Sequence, residues 1–154
     1  MRVKMEKILP KTISVINRLK ASDSETGRES FRVYKLENCF WGIIKQSTQA
    51  GQAVNHGNRI TVHIPKDQEF VYLSYDKWLT QPDDSFTLAV DDYIVQGEIK
   101  EEVTPDNITD ILQQYAPNTC KIRMINDLTM PDGGLDHSGG FLLKFSDMIE
   151  VEGV

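Results

Sequence analysis

The sequence predicts a mainly β fold, a small β-barrel or sandwich with one late α-helix, α+β at most. Three observations point there. Short apolar, β-branched segments recur between clusters of Gly, Asp, Asn and Ser. Only one segment, 104–115, carries apolar residues at helical spacing. Strands do not alternate with helices, which argues against the parallel sheet of a nucleotide-binding βαβ domain.

Taken in order, residues 1–11 read as an N-terminal arm preceding a single β-rich domain over 12–145. "TISVINRL" (12–19) and "FRVYKLENCFWGII" (31–44) flank a polar, turn-rich stretch, so they predict a hairpin with a solvent-exposed tip at 20–30. "QSTQAGQAVNHGN" (46–58) reads as a second polar loop. In "RITVHIP" (59–65), Ile60, Val62 and Ile64 alternate with Arg59, Thr61 and His63, and Pro65 ends the ladder for want of an N–H. "FVYLSYDKW" (70–78) is aromatic and strand-like. In "SFTLAVDDYIVQGEI" (85–99), two apolar runs flank Asp91-Asp92, a pair suited to a turn because a short carboxylate can accept from nearby backbone.

The helix expected over 104–115 has Thr104 as N-cap and Pro105 at the first helical position. Its buried face is Ile108, Ile111, Leu112 and Tyr115, and Pro117-Asn118 stops it. "TCKIRMI" (119–125) and "FLLKF" (141–145) are the last strands, on either side of the Gly-rich stretch 126–140. The segment 146–154 reads as a flexible acidic tail.

The chain has 154 residues, 40% hydrophobic and 26% charged, the balance of a globular domain with one core. No stretch approaches the roughly 20 apolar residues of a membrane span, and "MRVKMEKILPK" does not resemble a secretory leader. Cys39 and Cys120 stand far apart with no CxxC, so reduced, buried thiols are expected. The net charge is −6 and no Lys/Arg run exceeds two residues, against a face that holds nucleic acid by phosphate contacts. A negative surface instead lets DNA pass without sticking.

No phosphate-binding Gly loop, HExxH or Gly-x-Ser-x-Gly occurs. The stretch "NDLTMPDGGLDHSGG" (126–140) holds Asp127, Asp132, Asp136 and His137. It lacks the alternating oxygen ligands and closing Glu of a calcium loop, and zinc would want more His or Cys. Pro131-Asp132-Gly133-Gly134 is ordinary turn chemistry. His63 reads as a solvated or hydrogen-bonded histidine. Asp91 and Asp92, adjacent in sequence, are poorly placed for acid/base work. Trp41 and Trp78 read as core residues or interface anchors.

Four segments, "FWG" (40–42), "ITVHIP" (60–65), "FTLAVDDYIVQGEI" (86–99) and "INDLTMPDGGLDH" (125–137), resemble in content and order a family of small virion proteins of tailed phages of Gram-positive hosts. The chain differs from that pattern at Leu128 and Ser138. The resemblance implies a non-enzymatic neck component, a head-closure (stopper) or head–tail connector protein. It implies a homo-oligomeric ring between a portal or adaptor protein and a tail terminator or tail tube protein. Packaged DNA would pass through the lumen without sequence-specific binding, and neither cofactor, metal nor membrane is involved. Its place would be the host cytoplasm and then the virion neck. The contact residues expected are Glu25, Thr26, Gly27 and Arg28 at the hairpin tip, Trp41 and Trp78, and Met130, Pro131, Asp132, Gly133, Gly134, Leu135, Asp136 and His137 in the Gly-rich loop. A tail terminator or minor capsid protein is the neighbouring alternative. A small metal-binding hydrolase using Asp127, Asp132, Asp136 and His137 is the alternative from another class.

Overall fold

A computed structural model describes the backbone of residues 9–50, 53–128 and 148–154, with side chains for the same residues except 44–58. Six strands close a barrel. In chain order they are β1 (Lys11–Leu19), β2 (Ser30–Ala50), β3 (Ala53–Pro65), β6 (Tyr93–Gln96), β7 (Thr119–Asp127) and β8 (Met148–Gly153). Around the barrel they run β1-β2-β3-β8-β7-β6, every neighbouring pair antiparallel. The mainly β barrel expected from the sequence is therefore the fold. Two residue-long strands, β4 (Val71–Tyr72) and β5 (Ser85–Phe86), pair in parallel beside it. Two short α-helices, α1 (Tyr75–Trp78) and α2 (Ile108–Tyr115), and a 3-10 turn at Ala21–Asp23 complete the described elements. No described helix is long and apolar enough to cross a membrane.

The barrel interior follows the period-2 alternation of its strands. Ile13 and Val15 from β1, Val62 and Ile64 from β3, and Ile149 and Val151 from β8 all point inward and are fully buried. Trp78, Phe86 and Leu88, from the segment between β3 and β6, join the same cluster. A second cluster lies on the outside of the barrel. There α2 lays Ile111 with Ile108, Leu112 and Tyr115 over Ile16 and Val95. β1 is consequently buried on both faces from Ile13 to Asn17, and its outward positions there, Ser14 and Ile16, carry no charge. The outward Ser14 is satisfied there: its hydroxyl donates to Gly97 O (2.7 Å) and accepts from Ile99 N–H (3.1 Å).

Four expectations are corrected. The tail is not flexible: Met148–Gly153 is a barrel strand paired on both edges, with β3 and with β7. Its acidic residues Glu150 and Glu152 face outward while Ile149 and Val151 fill the core. Of the segment 46–58, residues 46–50 and 53–58 are strand and not loop, because β2 and β3 stay paired up to Ala50↔Ala53. The segment 70–78 is strand only at Val71–Tyr72 and then turns into α1. The late helix starts at Ile108, not after Thr104; Asn107 is its N-cap residue. The Asn107 side chain accepts from Thr104 N–H (2.7 Å), so a turn at 104–107 precedes the helix. The expected strand 141–145 lies outside the described residues.

Candidate assembly surface

The barrel ends before its longest hairpin does. β3 leaves β8 at Ile60↔Gly153, yet β2 and β3 continue together through seven further pairs, from Ile44↔Arg59 to Ala50↔Ala53. At about 3.4 Å per residue that is a two-stranded arm of roughly 24 Å. β2 changes partner before the arm, still within the barrel: it pairs β1 up to Cys39 and β3 from Phe40. Asn38, with φ 60°, takes the left-handed backbone at this corner, a conformation Asn tolerates better than most residues.

At the arm's base, Trp41 faces Val62 and Ile43 faces Ile60. Trp41 packs half-buried against the core, but its indole N–H is buried without an acceptor. Ile43 is 50% exposed, although its strand position points toward the barrel interior. Trp41 thus meets the core and also borders an apolar, incompletely satisfied rim. Outside the barrel the adjoining strands are polar: Arg59 pairs with Glu152, and Glu150 accepts from Asn126 (3.3 Å) and contacts His63 Nε2 (3.1 Å). His63 is therefore the hydrogen-bonded histidine expected.

The hairpin tip sits elsewhere. Glu25, Thr26, Gly27 and Arg28 are all exposed in the β1–β2 connection, where Gly27 has φ 69° and Thr26 N–H bonds the Ser24 hydroxyl (3.3 Å). Glu25 and Thr26 line an open cleft of about 490 Å³ that also has Arg32, Leu79 and Pro82 on its walls. Tyr75 braces this connection, accepting from Lys20 N–H (3.2 Å) and donating to Asp23 (2.8 Å). Trp78 is corrected from interface anchor to core. It is fully buried and donates its indole N–H to the Tyr34 hydroxyl (2.8 Å), which in turn donates to Pro82 O (2.6 Å). Met130, Pro131, Asp132, Gly133, Gly134, Leu135, Asp136 and His137 lie outside the described residues.

One buried carboxylate is prominent. Asp92, 3% exposed, accepts from Asn17 Nδ2 (2.9 Å), Arg18 N–H (3.1 Å) and Ala89 N–H (3.2 Å). Burial pushes its carboxyl up to about 6, against the pull of these donors and the Arg18 charge. Asp91 turns the other way, into solvent, with φ 77° and with Arg123 (3.5 Å) and Lys121 (3.7 Å) nearby. The pair forms the expected turn, and Asp92 uses it to tie the 87–92 segment to β1. Cys39 and Cys120 are free and buried, pushed up to about 12 and about 11 by burial, so both remain protonated. Among the described residues, no three His, Cys, Asp or Glu side chains come together as a metal site.

The arm is the feature that the sequence reading missed. A signal was present in the sequence: Gly51-Gln52 is a Gly-first pair of the kind that favours a two-residue hairpin loop, and the flanking residues include Thr48 and Val54. The polarity of 46–58 concealed it.

Residues 8–138 match a family of unknown function (DUF6751), and the chain belongs to it. No curated protein and no solved structure matches the chain.

Proposed function

We propose that this member of the DUF6751 family is a structural protein of the phage neck, a head-closure or head–tail connector subunit. It assembles as a homo-oligomeric ring between the portal or adaptor and the tail, and has no chemistry of its own. The observation that carries the reading is the arm: a closed barrel sends a two-stranded hairpin roughly 24 Å beyond its last β8 pairing, where it can reach a neighbour. The barrel serves as a rigid base. The four-segment resemblance to neck proteins supplies the location, and a net charge of −6 suits a channel that must not hold DNA.

The test is genetic and structural together. Particles produced without this protein should package DNA but lose it or lack tails, and titre should fall by orders of magnitude. Mass spectrometry of purified wild-type particles should find the chain in them. Normal titre from the deletion, or absence of the chain from particles, overturns the reading.

A further inference from the structure

We infer that the β2–β3 arms of successive copies pair edge to edge, the β3 edge of one arm against the β2 edge of the next. This rests on the ring reading above and names the surface that makes the ring. Closure of the barrel joins the last strand to the first and removes most of its edges. Among the described residues, one-sided edges remain on β2 at Ser30–Leu36 and on β7 at Arg123–Asp127, but a ladder open along both of its edges occurs only in the arm and in the β4–β5 pair, whose strands are two residues long. The ladder that offers two open edges of the arm's length is therefore another arm.

Beyond Lys45 and Arg59 at its base, the arm also lacks the devices that keep edges apart. Residues 46–58 contain no Lys, Arg, Asp, Glu or Pro. Natural edge strands exposed to solvent use those residues to block pairing. An edge-to-edge contact here meets neither charge repulsion nor a missing donor.

The geometry favours a ring over an isolated pair. Each arm presents two different edges, so β3-to-β2 contacts are head-to-tail and close on themselves when the rotation allows. With all arms directed alike, β3 of one copy runs antiparallel to β2 of the next. The assembled arms then form a continuous antiparallel cylinder, two strands per copy, standing on the ring of barrels.

Which amides face the open edges follows from the barrel's own hydrogen bonds. Lys121 and Val154 exchange both backbone bonds (2.9 and 3.2 Å). The alternation of antiparallel ladders then runs through Ile122↔Gly153, Gly153↔Ile60 and Ile60↔Ile43 into the arm. It leaves the amides of Ser47 and Gln49 on the β2 edge, and of Val54 and His56 on the β3 edge, pointing away from their partner strand. Proline at such a position removes an outward donor while leaving the bonds within the arm.

The experiment compares the full-length wild type with Ser47→Pro and His56→Pro by native mass spectrometry and light scattering over a concentration series. Wild type should assemble with rising concentration. Either variant alone should remain monomeric, with an unchanged melting temperature because the arm lies outside the barrel. A 1:1 mixture should stop at two chains, since the free β2 edge of His56→Pro meets the free β3 edge of Ser47→Pro. A wild type that is monomeric up to its solubility limit overturns the pairing, as do rings that either proline leaves intact or a mixture that assembles as far as wild type. Rings indifferent to proline leave the neck reading standing. A chain absent from particles removes the neck reading and leaves the pairing standing.

Discussion

At Asp92 a single carboxyl connects local geometry to pH. Its contacts are all donors, which suits the ionised form, yet burial raises it from an ordinary 3.8 to about 6. The folded protein thus holds that proton more tightly than the unfolded chain. Its contribution to stability is full below about pH 4 and is lost as pH rises through about 6, an amount of about 2–3 kcal/mol. Asp92→Asn should remove this component, and it should also lower stability at every pH because the Asn amide meets a donor. Denaturation midpoints of both proteins between pH 4 and 7 check it: the wild type should lose stability across this range relative to the variant, and parallel curves would contradict the assignment. Gly153 is the other decisive residue. A Cβ there would collide with the Lys121 carbonyl oxygen and Cys120 Sγ, because β8 crosses β7 closely at the Ile122 bulge. Gly153→Ala should cost about 1–3 kcal/mol in urea unfolding, the usual cost of overpacking a core.

Among the elements, α2 shows how a surface helix can be structural. Its eight residues are too few to be stable alone, so packing against Ile16 and Val95 holds it in place. Ile111→Ala should lower stability by about 2–4 kcal/mol, read in the same unfolding experiment, without altering assembly through the arm. The helical spacing of Ile108, Ile111, Leu112 and Tyr115 was plain in the sequence, whereas its start was not. Thr104-Pro105 has the chemistry of a helix start, but Asn107 bonds back to Thr104 and delays the first turn. Strand β8 and the arm were hidden for a related reason. Acidic residues in β8 and polar residues in the arm suggest loops, yet hydrogen-bonded pairing needs only backbone, and the outward positions of a strand tolerate any polar side chain.

For the whole molecule, closure is the property with consequences. Closure pairs most of the strand edges, and the longest ladder left open on both sides is one projecting hairpin, so the molecule has a barrel body and a reaching arm. Local patterning by itself determined the β class and the inward residues Ile60, Val62 and Ile64 by their period of 2, the turn at Asp91-Asp92 by its short carboxylates, and the buried face of the late helix by its period of 3.6. Each depends on neighbours within a few residues. Only the tertiary structure decided that Trp78 is core, that Asp92 is buried, that 148–153 is the strand joining β3 to β7, and that 44–59 stands clear of the barrel. Those outcomes depend on which distant strand arrives at an edge, as when Gly153 settles between Ile60 and Ile122, and no local pattern encodes that choice.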